Sequence, residues 1–250
     1  FGKFSNDKSL SDGEVEKIVA WVDAGAPLGD AGDMPPPAVF ADPQAWRLSD
    51  RFGEPDLVVS SPPFTVPADG QDKWWRASAP TGLEAERWVK AIEIKPSASG
   101  RRVVHHAIAR LQQEEEGVTG LANGFDVDDD IGPGTFMEWA VGKQGEIMRP
   151  GSGKLMMPDS DIQWDIHYAT AGEEITDNVI LGVYLYPEDS PPEHRQVLHL
   201  MGTGRMDIPP NSFSMTEGFF PLQRGGRIES FQPHMHLRGT AMSLEAILPS

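Results

Sequence analysis

Five of the seven histidines in this chain fall in three short apolar runs. Val103-Val104-His105-His106-Ala107-Ile108-Ala109 carries an adjacent pair. Ile162-Gln163-Trp164-Asp165-Ile166-His167-Tyr168 carries one. Phe231-Gln232-Pro233-His234-Met235-His236-Leu237 carries two at i and i+2. Neutral imidazole is the commonest protein ligand for copper and zinc, and the chain has no cysteine to compete for the metal. Metal binding at His105, His106, His167, His234 and His236 is therefore the first chemistry to test. The absence of cysteine also excludes disulfides, thiolate zinc sites, iron–sulfur ligation and a covalently attached haem on these 250 residues.

Alternate residues of a strand face opposite ways, so each histidine can be given a side. Ile162, Trp164, Ile166 and Tyr168 share one face, leaving Gln163, Asp165 and His167 on the other. Phe231, Pro233, Met235 and Leu237 would pack inward while Gln232, His234, His236 and Arg238 project outward. The pair His105-His106 would be split across a regular strand, so both can reach one ion only if the strand bulges or ends there. Otherwise one of the two is an ordinary hydrogen-bonded histidine. His194, between Glu193 and Arg195, and His199, alternating with Val197 and Met201, are left out of the site.

Other signals are weaker. Gly151-Ser152-Gly153-Lys154 looks like the end of a phosphate-binding loop, but Met148 stands where the motif needs glycine and Leu155 follows the lysine. No Gly-x-Ser-x-Gly nucleophile elbow is present. Trp74-Trp75 reads as a packed strand end rather than a ligand shelf. The ten methionines are scattered and read as core filling.

The elements that must position the histidines are mostly strands. From Pro55 onward, short apolar runs alternate with Gly, Pro, Asp and Ser clusters, which predicts an all-β chain of antiparallel sandwich type. The expected strands are Leu57–Val59, Trp88–Ile94, Val103–Leu111, Phe136–Val141, Ile162–Tyr168, Val179–Tyr186, Val197–Met201 and Met242–Leu248. Residues 113–132, rich in Glu, Asp, Gly and Asn, read as a solvated loop. One short N-terminal helix is expected near residues 10–25. Ser11 and Glu14 have capping-box spacing, Val15, Ile18, Val19 and Val22 form a stripe, and Gly25 is the stop. The Pro-, Gly- and Asp-rich stretch that follows, 29–45, reads as a linker, and Pro187 to Pro192 as a second one.

A formal charge of −17 leaves no basic surface for nucleic acid or anionic membrane. No apolar run reaches the roughly 18 residues that a membrane-spanning helix needs. The chain begins at Phe1 and ends just after an apolar run, which suggests an internal piece of a longer protein.

Taken in order, the His-His pair, the Ile-His-Tyr strand 61 residues after His106 and the His-x-His 67 residues beyond that resemble the copper type II, ascorbate-dependent monooxygenases. That family includes the peptidylglycine α-hydroxylating and dopamine β-monooxygenases, and the likeness covers Trp46 to the end of the chain. Gly2-Lys3-Phe4-Ser5-Asn6-Asp7, Leu10-Ser11-Asp12 and Ile18-Val19-Ala20-Trp21-Val22-Asp23-Ala24-Gly25-Ala26-Pro27 are similar to the end of a bacterial c-type cytochrome module. Its haem would be attached upstream of Phe1.

The resemblance implies jelly-roll β-sandwich domains in series, with 1–28 the cytochrome tail, 46–190 a first copper-binding sandwich and 191–250 an incomplete second. It implies two coppers. One, an electron reservoir, would sit on His105, His106 and His167. The other, catalytic, would sit on His234, His236 and a methionine expected beyond Ser250, not Met242. Further implications are O2 and a small organic substrate as reactants, a haem c module or an ascorbate-like reductant as electron donor, and a periplasmic or secreted location. Asp165 or Gln163 is expected to accept the far ring N–H of His167. The rival readings are a non-catalytic copper-binding scaffold and a zinc hydrolase with Asp165 as base.

Overall fold

The computed structural model describes residues 9–37, 42, 44–114, 135–143, 145–198, 206–222, 225–235 and 237–248. The chain divides into two compact units, Phe1–Asp42 and Pro43–Ser250.

The first unit holds helix α1 (Asp12–Asp23) and a single 3-10 turn at Ala31–Asp33. The expected capping box is present. The Glu14 amide donates to Ser11 Oγ, and the Ser11 amide donates to Glu14 Oε2 at 2.8 Å. Gly25, at φ +83°, takes the left-handed conformation that stops the helix. None of the helix residues is buried.

The second unit is an antiparallel β-sandwich. Its elements in order are α2 (Ser49–Phe52), β1 (Leu57–Ser60), β2 (Phe64–Val66), β3 (Lys73–Pro80), β4 (Arg87–Lys95), β5 (Val104–Gln112), β6 (Thr135–Ala140), β7 (Glu146–Ile147), β8 (Ser152–Met156), β9 (Asp161–Tyr168), β10 (Ile175–Asp177), β11 (Ile180–Leu185) and β12 (His194–Arg195). One sheet runs β1-β11-β4-β8-β12, with β7 also paired to β4. The other runs β3-β9-β5-β6, and β2 pairs with β10. The all-β reading with one short N-terminal helix holds. Six of the eight expected strands form within a residue or two of their expected bounds.

The core lies between the two sheets. Ile162, Trp164, Ile166 and Tyr168 of β9 are all fully buried, as their alternation requires, and meet Leu181, Val183, Ile92 and Ile94 in one cluster. Tyr168 is pinned further, its hydroxyl donating to buried Asp177 at 3.1 Å. Asp177 also accepts from the Ser97 amide at 2.9 Å. The far face of the larger sheet is covered by the segment from Trp46 to Pro55. A Cβ at Gly182 would lie 2.7 Å from the Trp46 ring and 2.9 Å from Pro55, so only glycine admits that cover. Buried Glu93 fixes the approach to α2 by accepting the Arg47 and Leu48 amides at 2.8 and 3.1 Å.

Two expectations meet a different arrangement. The chain does not leave the sandwich at Pro187–Pro192. Instead β12 returns to pair in parallel with β8, His194 against Ser152, so residues 194–195 extend the first sandwich. Among the described residues from 206 to 248 there is no helix or strand, and Met242–Leu248 is not a strand. Phe213 and Leu237 there are fully exposed. A strand needs ladder pairing along its backbone, and none is formed in this stretch among the described residues. Most of the acidic stretch 113–132, and most of Val197–Met201, lie outside the described residues.

Candidate metal centre

The site forms where β5 pairs with β9. Val104 stands opposite Tyr168 and His106 opposite His167, so His105 is an extra residue in β5. This is the bulge that the adjacent pair requires, and it turns both imidazoles to the same side as His167. The His105 and His106 Nδ1 atoms are 3.0 Å apart. One nitrogen from each of His105, His106 and His167 lies within 4.8 Å of the others, the one such three-residue cluster of metal-ligating side chains among the described residues. Ring centroids are 4.9 to 5.3 Å apart around the triangle.

The nitrogens face one common space. His167 Nε2 lies 3.0 Å from Asp72 Oδ2, so it carries the proton donated to that carboxylate. In the neutral ring the lone pair is then on Nδ1. That atom is buried and has no hydrogen-bond partner, a costly state for a polar atom unless something occupies the space it faces. Burial pushes the His106 imidazole below the usual histidine range, and neighbouring His167 and His105 push it further the same way. Three imidazoles that converge at single-ion spacing fit a borderline-soft divalent metal of the copper or zinc type.

Asp72 corrects the expected partner of His167. Asp165 faces Arg76, with Oδ2 3.4 Å from Nε, and lies 3.9 Å from Arg110 Nη2. The partner instead comes from the residue just before β3, brought in because β3 is the strand next to β9. Nothing in the sequence near His167 points to Asp72.

Trp74 is the second correction. It is 58% exposed and lies flat against His167, with centroids 4.5 Å apart and planes 4° from parallel. Its edge meets the His106 ring at 5.0 Å. Trp75, on the opposite face, packs against Phe64 at 5.3 Å and behaves as the expected strand-end filler. Trp74, His167 and His106 thus form one cross-strand row over β3, β9 and β5.

Of the third histidine motif, His234 is not among the ligating groups that meet at this triad among the described residues. His234 is exposed, and His236 lies outside the described residues. Gln232 in the same run donates through Nε2 to Glu138 Oε2 on β6 at 2.7 Å. His194 is exposed, 4.0 Å from Glu193, and His199 lies outside the described residues. Lys154 is no phosphate ligand: its amino group is buried on Glu146 at 3.2 Å and on the Phe136 carbonyl.

No family model and no curated protein matches the chain. No helix among the described residues is long and apolar enough to cross a membrane.

Proposed function

We propose that His105, His106 and His167 hold one copper ion, and that the chain serves a copper monooxygenase that uses O2 and external electrons to hydroxylate a C–H bond of a small organic substrate. The observation that carries this reading is the buried, unpartnered Nδ1 of His167, facing two imidazoles that a bulge has turned towards it. The monooxygenase assignment adds the ordered spacing of the three histidine motifs. Copper bound there would supply one-electron cycling between Cu(I) and Cu(II), for which three neutral imidazoles are suitable ligands.

The chain's own residues divide the work. His105 and His106 each present one ring nitrogen from one bulge. Asp72 holds the Nε2 proton of His167 and fixes the ring so that Nδ1 faces inward. His234 and His236 remain the proposed holders of a second, catalytic copper.

A zinc hydrolase is less well supported. Its general base would have to be Asp165, which is engaged by Arg76 and Arg110, while Asp72 is engaged by His167.

The deciding experiment is copper and zinc content per chain, paired with a Cu(II) spin count, in the purified protein and in His167→Ala. Copper at one or two per chain, with one equivalent lost in His167→Ala, supports the reading. Zinc alone, or no metal after incubation with copper, overturns it.

A further inference from the structure

A tryptophan with more than half its surface in solvent is unusual, because burying an indole is among the largest apolar gains a side chain offers. Trp75 takes that gain and Trp74 does not. Strand alternation places Trp74 on the outer face, where a polar residue would be the ordinary occupant. What it contacts there is the metal triad: His167 in a near-parallel stack and His106 by its edge. The indole is thus a conjugated surface with one side against a ligand ring and the rest in water.

The geometry points to Trp74 as the contact through which a one-electron donor protein reduces the metal held by the triad. This rests on the copper reading of the site. A folded donor cannot insert its redox group among three imidazoles, whereas it can lie against an exposed indole that stacks on His167. One electron leaves the donor and converts Cu(II) to Cu(I). No bond is made or broken, and the indole stays a closed-shell conduit. The chain's formal charge of −17 selects a cationic donor and makes the encounter sensitive to salt.

Zinc-substituted cytochrome c, a basic protein whose photoexcited triplet gives up one electron, is a suitable probe. Its quenching is measured against the copper-loaded full chain, Trp74→Leu, Trp74→Phe and Trp74→Met, with copper content and the Cu(II) spectrum recorded for each. Ascorbate, small enough to reach the metal past exposed His105, serves as the internal control. We expect Trp74→Leu to slow quenching by about tenfold, within the range that single substitutions at one docking face produce. Ascorbate reduction and the Cu(II) spectrum should change little, and Trp74→Phe should recover part of the loss. Should leucine disturb the site, methionine supplies a bulkier unconjugated side chain for the same comparison. Equal quenching by the wild-type chain and both unconjugated variants would overturn the role of Trp74 and leave the copper site standing. A wild-type chain that takes up no copper would overturn both.

Discussion

The chain carries two places where histidines lie close in sequence, and the fold treats them differently. At His105-His106 the backbone is a strand with neighbours on both sides, and beneath it lies a core in which Trp164, Ile166 and Ala107 are fully buried. At His234 the alternation is at least as regular in sequence, yet none of the described residues around it is in a strand, and Met235 and Leu237, expected to face inward, are exposed. Spacing nominates ligands. Pairing is what brings them together, because a strand locked to its neighbour leaves each side chain one direction to point.

The largest test of that contrast is mechanical. Trp164→Ala, under the strand that carries His167, should cost about 3–5 kcal/mol of folding free energy and take metal binding with it. Phe213→Ala, at a fully exposed position of the other region, should change stability by less than about 0.5 kcal/mol. Denaturant unfolding of both variants measures the difference. Comparable losses would mean that the later region is as firmly packed as the sandwich.

Next in size is the metal itself. His167→Ala should abolish copper binding at the triad, read as the loss of one equivalent on titration of the apo-protein, while His234→Ala should leave that equivalent in place. If His234→Ala empties the triad, the two regions act as one site. A smaller effect is expected from Asp72→Asn. Losing the carboxylate that holds the Nε2 proton should weaken copper about 10- to 100-fold without removing a ligand. Affinity measured against a competing chelator checks this.

The smallest effect concerns pH and tests whether the sandwich alone sets the acid response. Burial raises the Glu93 carboxyl above the usual carboxylate range, although the Arg47 and Leu48 amides and Lys95 oppose the shift. The folded state therefore holds that proton to higher pH than the unfolded chain does. Stability should fall as pH rises from about 4.3, the ordinary glutamate value, through the raised folded value. Glu93→Gln, which keeps an acceptor for the amides, should flatten that part of the profile. A wild-type profile indistinguishable from that of the variant would show that Glu93 ionises normally.

Much of the sandwich is legible in the sequence because its strands alternate cleanly. Ile162 to Tyr168 announces both its core face and the side on which His167 stands, and the His-His pair announces that a bulge is needed. Lys73–Pro80 is not legible in the same way, since Lys73, Trp74, Trp75 and Arg76 break the alternation and the strand closes on proline. The register of β3 against β9 is not a local property. Asp72 and Trp74 consequently reach the site through a pairing across about 95 residues that no spacing rule exposes. The same limit explains β12, two residues whose attachment to β8 depends on an exposed edge far away in sequence.

The extra residue at position 105 also bears on how such a site could be gained or erased. Without His105, Val104 facing the core and His106 facing outward would already alternate as in an ordinary strand, and the pairs Val104–Tyr168 and His106–His167 would follow in step. A single in-frame codon deletion would therefore remove a ligand while restoring a regular sheet. Its gain, in turn, would convert a plain surface histidine pair into a three-nitrogen pocket. In lineages carrying this sandwich, a cluster of three converging imidazoles could come and go by one codon, leaving almost no mark on the rest of the sequence.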